Sequence, residues 1–207
     1  LRRMLMNKSF IIKIIVLCLV TIKVSAIEKV ILFGDSLMAG YGLPKEQHLS
    51  VVLQNSLELE GHKIEIVNGS VSGSTSAGGL NIAEWTLSEN NIDFMILCLG
   101  ANDMLRGINP KETKNNLEEI IKIAKNKNIK VVIAGMIAPN SYGSVYKKSF
   151  DKIFSDLSKK YKLKLIPFLL EGVAQKPEFN LSDGMHPNDQ GTIIIGNTLK
   201  KAILENL

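Results

Sequence analysis

The stretch Lys29-Val30-Ile31-Leu32-Phe33-Gly34-Asp35-Ser36-Leu37 decides the architecture. Its apolar run, rich in β-branched and bulky side chains, predicts a short strand buried on both faces. The Gly-Asp-Ser that follows ends the strand and opens a strand-to-helix junction. Outward from it, runs of the same kind recur at residues 63–67, 94–99, 130–134 and 163–168, after a first one at 29–33. Stretches with helical spacing lie between them. Leu49, Leu53 and Leu57 form one stripe, and Leu117, Ile120, Ile121 and Ala124 a second. Phe150, Ile153, Phe154 and Leu157 form a third, and residues 193–204 close the pattern. Five strands alternating with helices predict an α/β fold, a parallel sheet covered on both faces. No repeat, low-complexity tract or linker interrupts it, so one domain is expected from 27 to 207.

The whole chain has 207 residues, 25 basic and 20 acidic, a net charge of +5. With 45% hydrophobic and 22% charged residues it has the make-up of a globular protein, not of a disordered chain or a polytopic membrane protein. The excess charge is local. Residues 1–26 hold Arg2, Arg3, Lys8, Lys13 and Lys23 with no acid, then an apolar run, then Val24-Ser25-Ala26. A positive start, a short apolar centre and small residues at the end predict a signal peptide cleaved after Ala26, with an uncleaved N-terminal anchor as the alternative, and hence an exported protein, periplasmic or extracellular. The apolar part falls short of the about 20 residues that span a bilayer. What remains is neutral, with 20 basic and 20 acidic residues, so the basicity is not a nucleic-acid footprint. Cys18 leaves with the signal; it follows Leu17, not the small residue a lipid-anchored cysteine needs. Cys98, alone in an apolar run, reads as a small buried hydrophobe.

In a parallel α/β sheet, ligands bind at the carboxyl ends of the strands. Four junctions are expected to converge there: Gly34-Asp35-Ser36-Leu37, Asn68-Gly69-Ser70-Val71-Ser72-Gly73-Ser74, Gly100-Ala101-Asn102-Asp103, and Asp183-Gly184-Met185-His186-Pro187 before the last helix. Ser36 fits a nucleophile at a helix start, where free N–H groups favour developing negative charge; the alternative is an N-cap serine. His186 is the candidate base, and Asp183, three residues earlier, can hold its tautomer or cap the turn, or do both. Gly73, whose N–H can approach a substrate without Cβ obstruction, and the Asn102 amide, together with the Ser36 N–H, would stabilise an oxyanion. Alone, Gly73 reads as a turn residue and Asn102 as a cap.

These four blocks, in this order, resemble those of the GDSL or SGNH hydrolases. Gly34-Asp35-Ser36-Leu37-Met38-Ala39-Gly40-Tyr41-Gly42 and Pro139-Asn140-Ser141-Tyr142-Gly143 are similar to the secreted bacterial thioesterase I/lysophospholipase L1 and arylesterase branch, and the likeness spans residues 27–207. The resemblance implies a flavodoxin-like three-layer α/β/α sandwich and metal-free, cofactor-free hydrolysis of esters or thioesters. It implies Ser36, Asp183 and His186 as the triad and Ser36, Gly73 and Asn102 as the oxyanion hole. It also implies a small acyl ester or thioester as substrate, and a monomer is expected. Ser74 stands where that branch often has an aspartate, and residues 104–109 correspond to a substrate-proximal loop.

Other signals carry less. Asp35 and Asp103 are expected to brace their loops. His48 and His62 are expected at the surface, and Trp85 in the packing of a helix. Thirteen lysines between 111 and 164 face five acids; solvated helix faces are expected, with weak contact to anionic lipid as the minor alternative. An SGNH carbohydrate deacetylase is the nearby functional alternative. From another class, a flavodoxin-like flavin or phosphate binder would use the Ser72-Gly73-Ser74-Thr75-Ser76 loop, but that loop lacks a P-loop lysine, and the reading leaves Asp183 and His186 without a role.

Overall fold

A computed structural model describes residues 28–88 and 91–206; the signal segment and Cys18 lie outside them. The apolar runs become strands β1 (Glu28–Gly34), β2 (Ile64–Asn68), β3 (Phe94–Cys98), β4 (Lys130–Ala134) and β5 (Lys164–Ile166). They form one parallel sheet in the order β2-β1-β3-β4-β5. Position in that order explains the sequence pattern. The inner strand β3 is buried at every residue and β1 from Val30 onward, whereas the edge strands β2 and β5 mix buried and exposed positions.

The helices are α1 (Ser36–Ala39), α2 (Leu49–Leu59), α3 (Ser76–Thr86), α4 (Ala101–Leu105), α5 (Pro110–Asn126), α6 (Ser144–Tyr161) and α7 (Asp189–Leu204). The expected stripes are their buried faces: Leu49, Leu53 and Leu57 on α2, Leu117 to Ala124 on α5, and Phe150 to Leu157 on α6. Burial of each Leu, Ile or Phe is worth about 2 kcal/mol, so these stripes, rather than helix propensity, hold the layers in place. α2 packs against α7, while α5 packs against both α3 and α6. Right-handed crossovers put the first pair on one face and the other three on the opposite face, giving the three-layer α/β/α sandwich.

The lysine-rich region lies on solvated faces, as expected. Lys114 pairs with Asp156 and Lys160 with Glu118, tying α5 to α6, and Lys147 pairs with Asp151 within α6. Still in contact with solvent, such pairs are each worth about 1 kcal/mol or less. Among the described residues, no helix is long and apolar enough to cross a membrane.

The chain leaves β1 toward β2 on one face and reaches β3 over the other. The connections therefore part beside β1, opening a crevice at the carboxyl ends of β1 and β3. α1 begins at the first of these ends and α4 at the second.

Candidate active site

β1 and β3 run so close at this crevice that residue 34 has no room for a side chain. A Cβ on Gly34 would lie 2.6 Å from the Cys98 carbonyl oxygen and strike the Met38 side chain. The next residue, Asp35, caps α1 by accepting the Leu37 N–H on Oδ1 at 3.1 Å. The cap position is thus filled by Asp35, and the hydroxyl of Ser36, the first helical residue, is not engaged in capping. Gly40 ends α1 in the left-handed region at φ 84°. The His48 ring packs against Gly40, and its Nε2 is 3.1 Å from the Leu43 carbonyl oxygen. His48, expected at the surface, is half-buried, because it braces the end of the short helix that carries Ser36.

The Asp183–His186 turn is held by backbone bonds, Leu181 N–H to His186 O at 2.7 Å and Gly184 N–H to Leu181 O at 2.9 Å. Within it, Asp183 Oδ1 accepts the N–H groups of Met185 at 2.9 Å and His186 at 3.0 Å. Its Oδ2 lies 2.6 Å from His186 Nδ1, and His186 Nε2 lies 2.9 Å from Ser36 Oγ. Asp183 therefore caps the turn and meets the imidazole at once. Desolvation pushes its carboxyl up, but the two backbone N–H groups and the imidazole outweigh this and bring it down to about 2. An ionised carboxylate only accepts, so it selects the tautomer with hydrogen on Nδ1 and leaves Nε2 to accept from Ser36. The Tyr41 ring lies over the imidazole, centroids 4.5 Å apart and planes inclined by 39°.

The third element is the loop after β2. Val71 N–H bonds to Gly34 O at 3.1 Å, tying the loop to β1 beside Ser36. A turn closed by Ser74 N–H to Val71 O places Gly73 at φ 77°, a conformation glycine adopts without strain. From α4, the Asn102 amide donates to Ser74 O at 3.1 Å and the Arg106 guanidinium to Gly73 O at 2.9 Å. Among the described residues no acceptor takes the N–H of Ser36 or of Gly73.

Asp103 braces the site from behind, as expected. Its Oδ2 accepts the Ser76 N–H at 2.7 Å, and its Oδ1 accepts the hydroxyls of Ser76 and of Thr113, the latter at 3.1 Å. The phosphate-cradle alternative fails here: Thr75 caps α3 and Ser76 is turned onto a buried carboxylate, which would repel a phosphate. Asp35 is fully buried with Oδ2 unpartnered. Burial pushes its carboxyl up to about 6, against the Leu37 N–H, His186 and the nearby Asn102 amide. Cys98 is a free, buried thiol, as expected, and burial raises it well above its usual range. Among the described residues, no three His, Cys, Asp or Glu side chains gather as a metal site would require.

Trp85 departs from expectation. It is 81% exposed and borders a groove of about 450 Å³ along the free edge of β2, with Ile31, Val67, Val71 and Ile82. The buried stripe of its helix runs through Gly79, Ala83 and Thr86, and Trp85 falls outside it. Two site residues lack a role in the sequence reading, Tyr41 and Arg106. Tyr41 stands within the quoted stretch around Ser36, whereas nothing in the 104–109 segment marks Arg106 as a partner of Gly73.

Residues 32–192 match the model of the GDSL-like lipase/acylhydrolase family. An arylesterase of Vibrio mimicus is 35% identical over 182 residues, covering 88% of this chain and 91% of that protein. The thioesterase 1/protease 1/lysophospholipase L1 of Escherichia coli K12 is 31% identical over 187 residues, 90% of this chain and 88% of that one. The crystal structure of TesA superposes with a TM-score of 0.82 at 32% identity, over 87% of this chain and 100% of that chain.

Proposed function

The chain belongs to the GDSL-like lipase/acylhydrolase family and is a carboxylic ester hydrolase, and from that premise we propose that it cleaves esters and thioesters through an acyl-enzyme on Ser36. The observation that carries this reading is the unbroken series Asp183 Oδ2, His186 Nδ1, His186 Nε2, Ser36 Oγ, with spacings of 2.6 and 2.9 Å.

His186 takes the Ser36 proton as Oγ attacks the acyl carbonyl. Asp183 holds the tautomer and stabilises the imidazolium, and Tyr41 offers its ring to that cation. The carbonyl oxygen gathers charge against the N–H groups of Ser36 and Gly73 and the Asn102 amide, each worth ~10²–10³ in rate. The alcohol or thiol leaves with the proton from His186. Water, deprotonated by the same nitrogen, then releases the acid and frees Ser36.

The first 26 residues support export, to the periplasm or beyond. A fluorophosphonate probe tests the chemistry. The expected result is labelling of the full chain that is lost in Ser36→Ala, and a folded wild type that resists the probe overturns the serine mechanism. Peptide sequencing of the exported form tests the signal, with Ile27 expected at its start.

A further inference from the structure

We propose that Arg106 is a positioning residue for catalysis, clamping the loop that presents the Gly73 N–H to the oxyanion; this rests on the serine-hydrolase reading above. Three observations carry it.

The first is that packing does not hold Gly73. It is exposed, its φ is 77°, and a Cβ built on it would meet no atom within 4 Å. A glycine free on all sides has several backbone wells open to it, and a loop without apolar contacts depends on its hydrogen bonds for its shape. The second is where those bonds come from. Asn102 in the first turn of α4 and Arg106, its C-cap, stand four residues apart, so their side chains project on one side of the helix. That face reaches two successive carbonyls, Ser74 O through Asn102 and Gly73 O through Arg106. The third is that Arg106 is itself fixed at its root, its N–H closing the last turn of α4 onto Asn102 O at 3.1 Å.

Asn102 therefore has two tasks, holding the loop and meeting the oxyanion, while Arg106 has only the first. The guanidinium donates to the carbonyl of the same residue whose N–H is the proposed donor. The carbonyl it holds belongs to the Gly73–Ser74 peptide, the neighbour of the Ser72–Gly73 peptide that carries the N–H. Pinning it restricts the rotation about Gly73 that would swing the donor away, so the donor stands in place before charge develops, which is when a preorganised dipole is most effective. Without Arg106 the loop would reach the same geometry only part of the time, and the loss would fall on the step in which charge develops.

The test compares wild type with Arg106→Ala and Arg106→Lys on an uncharged p-nitrophenyl ester, so that no attraction between the guanidinium and a substrate anion enters. For Arg106→Ala, kcat is expected to fall about tenfold, the equivalent of one net hydrogen bond. KM, the pH profile and the melting temperature stay as in wild type, since His186 and Asp183 are untouched. The rate of fluorophosphonate labelling falls in the same proportion. Added guanidinium ion restores part of the lost rate, and Arg106→Lys, which keeps a cationic donor, keeps most of it. An unchanged kcat in Arg106→Ala, a loss confined to KM, or a loss that tracks a lowered melting temperature overturns the inference. Wild type labelled at the same rate as Arg106→Ala overturns the clamp alone, whereas wild type that is not labelled at all overturns the serine mechanism beneath it.

Discussion

The side-chain amide of Asn102 donates to the carbonyl oxygen of Ser74 at 3.1 Å. An amide NH₂ carries two hydrogens, so while one ties α4 to the loop after β2, the proposed mechanism assigns the second to the oxyanion. Asn102→Ala removes both. The expected loss in kcat is ~10²–10³, with labelling by a fluorophosphonate slowed but still directed to Ser36. Steady-state kinetics on a p-nitrophenyl ester checks it; a kcat within threefold of wild type (about 0.6 kcal/mol) would remove Asn102 from the oxyanion hole.

Asp183→Asn separates the two duties of that carboxyl. The asparagine Oδ1 still accepts from Met185 and His186, so the turn keeps its shape. Its Nδ2 now donates to His186 Nδ1 and selects the opposite tautomer, with a hydrogen on Nε2 facing Ser36. The proton acceptor is gone, and kcat is expected to drop on the order of 10²–10⁴ with the circular dichroism spectrum unchanged. Because the wild-type carboxyl titrates at about 2, it is ionised throughout the range above pH 4. An acid limb of the rate profile in that range belongs to another group.

Asp35→Asn tests a buried charge against stability. In the folded chain this carboxyl is raised from 3.8 to about 6, so the folded state holds the proton that the unfolded state gives up first. Wild type accordingly loses stability as pH rises from about 4 to 6, and above 6 the full penalty of about 3 kcal/mol applies. Asparagine caps a helix as well as aspartate does and carries no charge to bury. Thermal melts should place the variant several degrees above wild type at pH 8 and level with it near pH 4. Equal melting temperatures at pH 8 would contradict the buried charge.

Ser76→Ala reports on the brace behind the site. It removes the hydroxyl donor to Asp103 and the acceptor of the Asn116 amide, a bond of 3.0 Å. A hydrogen bond to a buried charge is worth about 1.5–3 kcal/mol, which for a chain of this size lowers the melting temperature by roughly 3–12 °C. Calorimetry checks the shift, and a change of less than 2 °C (~1 kcal/mol or less) would mean that Asp103 is braced by Thr113 and the Ser76 N–H alone.

The layers and much of the site were legible because each rests on a local pattern. A run such as Val30 to Phe33 has only one stable place, the middle of a doubly covered sheet. Ser36 and His186 stood out as reactive residue types at junctions whose location the strand order dictates. Trp85 and His48 were misjudged because burial depends on what lies across from a residue. Trp85 sits on a helix whose inward face is made of small residues, and His48 meets a glycine eight positions away that leaves room for a ring. Arg106 was invisible for another reason. Its partner is a backbone carbonyl, an atom every residue possesses, so no residue type advertises the contact.

Ser36 follows the first strand and His186 precedes the last helix, 150 positions apart, yet they touch. The two ends of the fold thus meet at the reaction, like the halves of a clasp. In the proposed mechanism, a chain cut before residue 186 keeps the nucleophile and loses its base. Under the proposed mechanism, hydrolysis therefore reports that residues 36 and 186 have been brought together, and an assay of turnover doubles as a test of folding.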